Sequence, residues 1–405
     1  MNVAIAILGL ALLVLVHELG HFTTARLVGM NPRRFYIGFP PALVKVKRGG
    51  TEYGIGAIPL GGYVKIPGMH RPAASDLDVA FGRALAEDTG LLAPLERAKR
   101  ALAVFDLEQA RAGLAELERA TAEAQLSPQA AKSAERGLSD LRDGLADDAY
   151  WRAPTSKRIA VILAGPAANV LFALIVFSAL FMLGGGKATT TVHDVLPGRP
   201  AIAAGLRPGD RIVAIDAVPV KASQIPERIS SSKGRPLVLT VARGTELVRI
   251  GPVRPQRIDG TYRLGFGLSG ASLSAPEAVW ASTRLVGTVS KQIGTSLGNL
   301  VHKKGRKDIS SAVGIVQGSS NALSQGGVTY FLGVLGLISL SLALLNLLPL
   351  LPLDGGHIAF SIVEGIRGRP LGREVYERVS VVGIALVLML FFIGLSNDLG
   401  KIGGG

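Results

Sequence analysis

The chain has 405 residues, of which 48% are hydrophobic and 18% charged, and its formal net charge is +14. It is too apolar for an ordinary soluble enzyme, and it is long enough for two or three domains. The basic residues are spread over many segments with few aromatic residues between them, so we expect no nucleic-acid partner. The chain has no cysteine, which excludes disulfides, thiolate metal sites and cysteine nucleophiles.

Four stretches approach the roughly 20 apolar residues that span a bilayer. They cover about 2–24, 158–183, 329–350 and 379–396. A signal peptide is the alternative for the first stretch, but that stretch lacks a basic start, and cleavage would remove its most unusual residues. Lys and Arg cluster after the first span, before the second, and between the third and fourth. We therefore expect these segments in the cytoplasm, and both termini and residues 187–327 on the outside.

Two segments of different character follow the first span. Residues 28–70 alternate apolar residues with turn formers, and Arg48-Gly49-Gly50-Thr51 is typical of a hairpin turn. We predict a β-hairpin that lies close to the membrane. Residues 71–156 carry apolar positions at helical spacing, with a break at Ser127-Pro128. They predict a cytoplasmic helical hairpin or coiled coil, either a solvated insert without chemistry or an arm that binds a partner.

Short strands and turns are predicted between the second and third spans. The stretch "AAGLRPGDRIVAID" (203–216) resembles a PDZ domain, in which G-L-x-x-G-D-x-I is a recurring pattern. The resemblance implies that an extended peptide tail adds as a strand to a sheet edge. A β-domain of another type is the alternative. Residues 273–327 are amphipathic and rich in Gly and Ser, and we predict only a membrane-proximal connection there.

The first span contains "HELGH" (17–21), which places His17 and His21 on one face of a helix. This is the H-E-x-x-H pattern, in which two histidines bind zinc and the glutamate, here Glu18, acts on the bound water. A charged side chain in a membrane helix costs about 2.5–3.5 kcal/mol on the insertion scale, so such residues usually mark a functional site. The alternative is a set of polar residues whose hydrogen bonds a neighbouring helix satisfies.

A hydrolytic zinc site generally takes three protein ligands and keeps a fourth position for water. Asp354, in "NLLPLLPLDGGH" (346–357), is the strongest candidate for the third ligand. Two prolines interrupt the helix there, and irregular backbone at membrane depth is tolerated where it lines a cavity. Glu364 and Asp308 are weaker candidates, and a turn or helix-capping role is the alternative for Asp354. We expect His357 to support the site or a turn rather than to bind metal.

Together, "HELGH", the "GPAAN" of the second span (165–169), the PDZ-like pattern and N-x-x-P…L-D-G-G-H resemble the site-2 protease family of intramembrane zinc metalloproteases. The bacterial PDZ-containing branch, typified by the regulator-of-sigma-E protease, is the most similar. The resemblance implies Zn²⁺ bound by His17, His21 and Asp354, and a catalytic Glu18. It also implies that Asn346 and Pro349 help to hold the substrate.

The resemblance further implies hydrolysis of peptide bonds within transmembrane segments of single-span proteins in the bacterial cytoplasmic (inner) membrane. An anti-sigma factor that has undergone a first cleavage is the expected substrate, and remnant signal peptides are a further one. Many relatives have two PDZ domains, whereas this sequence shows one, and the helical insert is not a general family feature. The prolines here are spaced P-x-x-P, whereas some relatives have P-x-P, so the resemblance assigns no role to Pro352.

Two other functional classes compete with this interpretation. A non-enzymatic membrane scaffold would use the PDZ domain and the coiled coil, but the intact H-E-x-x-H argues against it. A metal transporter would need more histidines and carboxylates within the spans than this chain carries.

The predicted fold is a polytopic α-helical membrane protein with about four transmembrane helices, a membrane-associated β-hairpin, a cytoplasmic helical insert and a PDZ-like β-rich domain outside. The expected partners are a transmembrane protein substrate, the lipid bilayer and a peptide tail at the PDZ domain. The predicted segments are transmembrane helix 1 (1–27), the β-loop (28–70), the insert (71–156), helix 2 (157–184), the PDZ domain (187–272), the connection (273–327), helix 3 (328–357), a cytoplasmic segment (358–378), and helix 4 with the C-terminal tail (379–405).

Overall fold

The computed structural model describes residues 1–258, 260–299 and 311–403. Residues 1–172 together with 290–405 form one compact unit, and residues 173–289 form a second. The elements in chain order are α1 (Asn2–Leu27), β1 (Arg34–Arg48), β2 (Thr51–Lys65), α2 (Ala74–Glu87), α3 (Leu92–Ala103), α4 (Leu107–Glu123), α5 (Pro128–Leu145), α6 (Thr155–Leu180), β3 (Ala188–Val195), α7 (Pro200–Ala203), β4 (Arg211–Ile215), β5 (Val218–Pro219), α8 (Gln224–Ser231), β6 (Leu237–Arg243), β7 (Glu246–Val253), β8 (Gln256–Ile258), β9 (Thr261–Arg263), β10 (Phe266–Gly270), α9 (Ala275–Asn299), α10 (Ala312–Asn346), α11 (Asp354–Arg367) and α12 (Arg373–Gly403).

Four helices among the described residues are long and apolar enough to cross a membrane, in agreement with the four predicted spans. They cover Asn2–Leu27, Thr155–Gly185, Gly327–Asn346 and Val375–Asp398. The third differs from the prediction at its C-terminal end, because α10 stops at Asn346 and the segment 347–353 is not helical. Gly327 has a φ of 65° and separates the start of α10 from its apolar part.

Close packing joins α1 to its neighbours in the first unit. A Cβ on Gly9 would lie 2.9 Å from the ring of Phe331 in α10, and one on Gly20 would overlap the carbonyl of Ala164 in α6. Glycine is therefore required where these helix backbones approach. Ala6 and Leu13 of α1 are buried against the α10 side of the same contact.

The predicted β-hairpin is present, but its two long strands fold back and pair twice. Residues 34–37 of β1 pair with residues 52–55 on one side and with residues 62–65 on the other, while residues 42–48 pair with 51–56. The sheet therefore has the order 42–48, 51–58, 34–39, 62–65, and residues 62–65 form one edge. We call residues 62–65 the edge strand. No further strand pairs with its outer side in the part of the chain that the structure describes.

The predicted helical hairpin or coiled coil is replaced by four short helices, α2 to α5, with a core of their own. We call residues 74–152 the helical module. Two of its helices, α4 and α5, begin at capping side chains: the Asp106 carboxylate accepts a hydrogen bond from the Gln109 amide (2.9 Å), and the Ser127 hydroxyl accepts one from the Ala130 amide (3.3 Å). Buried side chains from all four helices form the core, among them Phe81, Leu95, Leu117 and Leu141.

The second unit contains an antiparallel sheet with strand order β10-β3-β4-β6-β7, and β5 pairs with β4. Ile212, Leu239 and Val241 lie in its buried core. The Pro208-Gly209-Asp210 turn is held from within, because the buried Asp210 carboxylate accepts hydrogen bonds from the Arg207 amide (2.9 Å) and from the Arg243 guanidinium (2.7 and 2.8 Å).

Candidate metal centre

Three ligand atoms from two distant parts of the chain converge beside α6. The Nε2 atoms of His17 and His21 lie 3.2 Å apart, as their four-residue spacing on α1 predicts. The Oδ2 atom of Asp354 lies 3.1 Å from the first and 3.4 Å from the second. Asp354 is the first residue of α11, directly after the irregular segment 347–353. Among the described residues, this is the one group of three or more histidines and carboxylates that is close enough to hold a metal ion.

The protonation of His21 is set by its second ring nitrogen. Its Nδ1 lies 2.9 Å from the carbonyl oxygen of Val161, which can only accept a hydrogen bond. Nδ1 must therefore carry a proton, and in the neutral imidazole that a metal requires, Nε2 keeps its lone pair on the side of Asp354. Such a hydrogen bond from the far nitrogen to a carbonyl is the usual support of a metal-binding imidazole.

His17 has a comparable partner in Asn169 of α6. The Asn169 amide nitrogen lies 3.2 Å from His17 Nδ1, and the amide oxygen is buried without a hydrogen-bond partner. The two ends of an amide exchange places by a half-turn. With the oxygen toward His17, it accepts the Nδ1 proton, the buried oxygen is satisfied, and Nε2 keeps a free lone pair for a metal.

The group fits a zinc ion. A tetrahedral ion with bonds of about 2.0–2.1 Å separates its ligand atoms by about 3.3–3.4 Å, close to the observed 3.1–3.4 Å. Asp354 Oδ2 is buried without a hydrogen-bond partner, so its charge faces two imidazole lone pairs. Gly165 leaves the necessary room, because a Cβ there would come within 2.6 Å of His21 Cε1 and 2.9 Å of His17 Nε2.

Glu18 lies between the histidines in sequence and faces the β-sheet. A Cβ on Gly62, in the edge strand, would lie 3.2 Å from the Glu18 carboxyl carbon and closer still to its Cγ. The absence of a side chain at Gly62 therefore lets the edge strand lie directly against this carboxylate. Phe22, one turn further along α1, holds the same sheet by packing on Phe35 and Tyr53, with ring centroids 5.0 and 5.9 Å apart.

The other predicted site residues have different surroundings. Asn346, the last residue of α10, places its amide nitrogen 3.4 Å from His17 Nε2. Pro349 lies in the irregular segment that leads to Asp354. Glu364 does not join the metal group, because it forms a buried ion pair with Arg158 (2.6 Å). His357 also lies outside the group, with its ring centroid 6.4 Å from that of His70. Asp308 lies outside the described residues.

Sequence reasoning gave no role to three residues that shape the site, namely Gly62, Gly165 and Asn169. Asn169 carried a usable signal, because an amide inside an apolar membrane helix needs a partner. Gly165 and Asn169 also stand at the two ends of the "GPAAN" motif, whereas Gly62 carried no signal, since its importance arises only from the atoms that pack against it.

A cavity of about 1440 Å³ lies against the edge strand. Tyr63, Val64 and Lys65 line it on one side, and Pro352 and His357, which flank Asp354 in sequence, line it on another. Further parts of its wall come from residues 66–73, the helical module, the start of α6, the end of α11 with the residues after it, and the start of α12.

Two histidines and a glutamate lie on an apolar helix that is long enough to span a membrane, and an aspartate from α11 meets the histidines there. This arrangement defines a zinc-dependent peptidase of the membrane-embedded class. The chain belongs to Peptidase family M50, the site-2 protease family, whose family model matches residues 5–390. This confirms the predicted family, the predicted enzyme class and the zinc cofactor, and it disfavours the scaffold and transporter alternatives.

Similar proteins are named accordingly. The chain is 30% identical to "Putative zinc metalloprotease Atu1380" of Agrobacterium fabrum, over 98% of this chain and 95% of the relative. It is 30% identical to "Putative zinc metalloprotease all3971" of a Nostoc species, over 96% and 93%. It is 29% identical to "Zinc metalloprotease RasP" of Geobacillus kaustophilus, over 96% and 95%.

Proposed function

We propose that this zinc metalloprotease is an intramembrane endopeptidase that cleaves peptide bonds within transmembrane segments of single-span proteins. His17, His21 and Asp354 hold the metal, and Glu18 is the catalytic carboxylate. The observation that carries the proposal is the meeting of all four side chains on or against α1, an apolar helix of membrane-spanning length. A protease that acted on soluble substrates would have no need to place this chemistry inside such a helix.

The chemistry divides between the metal and the protein. Bound zinc lowers the pKa of water and polarises a carbonyl oxygen. Glu18 takes the proton from the attacking water and delivers it to the leaving amine, acting first as general base and then as general acid. Asn346, whose amide lies beside His17, donates a hydrogen bond to the substrate backbone near the scissile bond. Pro349 shapes the irregular segment that holds the substrate next to Asp354.

A transmembrane substrate hides its peptide bonds in helical hydrogen bonds, and each unsatisfied backbone group in lipid costs several kcal/mol. The enzyme must therefore offer replacement partners to an unwound segment. The edge strand can do so by β-strand addition, because none of the described strands pairs with its outer side and Tyr63, Val64 and Lys65 line the cavity. Gly62 brings this edge against Glu18, so a paired substrate strand would pass beside the catalytic carboxylate.

The same sheet exposes many apolar side chains. Seven of its large side chains are between 39% and 70% exposed, namely Ile37, Phe39, Leu43, Val44, Val46, Ile55 and Ile58. An apolar surface of this kind needs a covering. We assign that covering to lipid, which makes the sheet a membrane-associated element.

The central test compares wild type with Glu18→Gln in cells. The variant keeps the metal ligands, so zinc content is expected to stay the same while cleavage falls at least about 100-fold. Membrane fragments identified by mass spectrometry should then differ between the two strains at transmembrane cleavage sites. Glu135→Gln, an exposed glutamate on α5, is the matched control and should behave as wild type. Equal fragment patterns in the Glu18→Gln and wild-type strains would refute the proposal.

Strand addition has its own test, because proline cannot donate a backbone hydrogen bond. Amides alternate in direction along a strand, so one of Tyr63→Pro and Val64→Pro removes an amide that faces outward. That variant is expected to lose cleavage at least about tenfold, the effect of about one backbone hydrogen bond, with zinc content unchanged. Alanine at the same positions keeps the amide and serves as control. Full cleavage by both proline variants would exclude pairing at this edge.

We further propose that the second unit carries a PDZ domain over residues 187–272 and that the substrate is an anti-sigma factor trimmed by a first cleavage. Its sheet and the G-L-x-x-G-D-x-I turn support the assignment. Acting as a size filter, the domain would block substrates that still carry a folded outer domain. Deleting residues 190–270 should then allow cleavage of the untrimmed substrate, whereas loss of cleavage would indicate that the domain recruits peptide tails.

The helical module lies in the cytoplasm and the PDZ domain outside the inner membrane in this proposal, since basic residues flank the spans on the module side. The chain has no cysteine, so single introduced cysteines report location without background. A cysteine that replaces the exposed Glu135 should react with a membrane-impermeant maleimide only after the cytoplasmic membrane has been permeabilised. A cysteine at exposed Asp216 should react in intact spheroplasts. The reverse pattern would overturn the orientation.

A further inference from the structure

The helical module contacts the β-sheet at the base of the edge strand. Arg33 directly precedes β1 and Lys65 ends β2, and the Arg33 amide donates a hydrogen bond to the Lys65 carbonyl (2.7 Å). Both side chains leave the sheet at this point and reach the module. The base of the sheet is therefore the place where the module can act on the edge strand.

Three aspartates of the module hold these two cations. The Arg33 guanidinium binds Asp148 through two parallel hydrogen bonds of 2.9 Å and binds Asp143 through Nε (3.0 Å). The Lys65 ammonium lies 2.9 Å from both Asp140 and Asp143. Asp143 is 8% exposed and bridges the two cations with its two oxygens.

The opposite charges at this junction stabilise each other's ionised forms. Burial lowers the pKa of Lys65, but its hydrogen bonds to Asp140 and Asp143 outweigh that effect and raise the pKa above its ordinary value. Burial raises the pKa of Asp148, but the Arg33 guanidinium more than offsets this and holds the pKa below its usual range. Two-point binding by a guanidinium fixes orientation as well as distance, unlike a single exposed ion pair.

Backbone contacts complete the junction. The Tyr150 and Trp151 amides donate hydrogen bonds to the carbonyls of Pro67 (2.9 Å) and Gly68 (3.1 Å), just after the edge strand. Gly68 has a φ of 59°, and a Cβ there would lie 2.7 Å from the Ala149 side chain. The module is thus fitted against Lys65 and against the residues that directly follow it.

We propose that the helical module is a positioning element, which holds the edge strand in place against Glu18 through the junction of Arg33 and Lys65 with Asp140, Asp143 and Asp148. Gly62 is three residues from Lys65, or about 10 Å along a strand, so the junction sets where the edge lies beside the catalytic carboxylate. The inference rests on the proposed function, in which the edge strand binds the substrate.

The test uses the full-length protein in vesicles and a double variant, Asp143→Asn with Asp148→Asn. These changes keep the side-chain shapes and remove the charges that hold Arg33. Loss of even one charge-assisted hydrogen bond is expected to raise amide hydrogen exchange in residues 34–37 and 62–65 at least about tenfold. The module core, for example Leu95 and Leu117, should exchange as in wild type. Cleavage should fall about tenfold with zinc content unchanged.

Two further variants make the result specific. Asp147→Asn removes an exposed carboxylate of the same module, whose partners are Arg111 and Arg152, and should change neither exchange at the edge nor cleavage. Lys65→Gln weakens the junction from the sheet side, leaves the module sequence intact, and should reproduce the faster edge exchange. It serves as the deciding variant if the double variant does not fold.

The possible outcomes separate this inference from the proposed function. Unchanged exchange at residues 62–65 in both the double variant and Lys65→Gln would overturn the positioning role. Faster exchange with undiminished cleavage would overturn it as well. If the wild-type protein cleaves no transmembrane segment, the proposed function is refuted. The hydrogen-exchange comparison does not depend on cleavage, and it can be made in protein that also carries Glu18→Gln, so it still tests the junction.

Discussion

Gly165 is the position where the smallest change should damage the metal site most. A Cβ on Gly165 would lie 2.6 Å from His21 Cε1 and 2.9 Å from His17 Nε2, whereas ordinary contact begins at 3.4 Å. His21 Nε2, the ligand atom itself, would lie closer still, so the His21 ring must move by more than about 0.8 Å, the difference between 3.4 and 2.6 Å. Metal sites tolerate deviations of only about 0.2 Å in ligand distance. We expect Gly165→Ala to lower zinc affinity at least about 100-fold, or about 2.7 kcal/mol.

The assay is competition for zinc between the purified full-length protein and a chelator of known affinity. Gly318→Ala is the matched control, because Gly318 also lies in a helix and a Cβ added there would meet no atom within 4 Å. Alanine is the better helix former at both positions by about 1 kcal/mol, which offsets part of the stability that overpacking at Gly165 costs. Wild-type zinc affinity in Gly165→Ala would refute the argument that this glycine makes room for the imidazoles.

Two further changes test the supporting contacts. Asn169→Ala removes the hydrogen-bond partner of His17 Nδ1 and should lower zinc affinity about 10- to 100-fold. Asn169→Asp retains an accepting oxygen and should lose less zinc affinity. Equal zinc affinities in wild type and both variants would contradict the role of the amide. Arg243 donates hydrogen bonds to Asp210 and lowers the pKa of that carboxyl. The Arg243–Asp210 pair therefore stabilises the fold fully above the unfolded pKa of about 3.9, and this stabilisation is lost as the pH falls through the lower folded pKa. Asp210→Asn should therefore lower the urea midpoint of the second unit at pH 7, by pulse proteolysis, and the difference from wild type should shrink toward pH 2; a constant difference would contradict the assignment.

The convergence of His17, His21 and Asp354 depends in part on local sequence patterns. The spacing of His17 and His21 is a property of any α-helix, and Glu18 follows from the same motif. The position of Asp354 was harder to predict, since the residues around it in sequence do not indicate which helix it contacts. The interrupted helix before it and the family resemblance supplied that link.

The double pairing of β1 could not be read from the chain in the same way. Gly49-Gly50 marks one tight turn, and the positive φ values there, 57° and 80°, match the hairpin prediction. The chain also reverses direction within β1 and again within β2, in stretches whose sequences predict continuous strands. Only the register of the strand pairing shows that residues 34–37 pair on both sides. The edge strand, which carries much of the proposed substrate binding, was therefore not predicted.

The helical module was mispredicted as a hairpin for a related reason. Helical periodicity continues across residues 75–123, but Asp88 and Asp106 cap new helices within it, by accepting hydrogen bonds from Gly90 (2.7 Å) and Gln109 (2.9 Å). Aspartate is a common surface residue in helical sequences, so its capping role emerges only with the packed core. The same holds for the aspartates that meet Arg33 and Lys65, whose partners are more than 70 residues away in sequence.

The most direct test of the central claim is X-ray absorption at the zinc edge of the full-length protein, measured for wild type and for Asp354→Ala. Wild type should show two imidazole nitrogens at about 2.0–2.1 Å with the remaining ligands oxygen, and Asp354→Ala should lose one oxygen ligand or the metal itself. A wild-type spectrum without two imidazoles, or one that Asp354→Ala leaves unchanged, would contradict the convergence of His17, His21 and Asp354 on a single zinc ion.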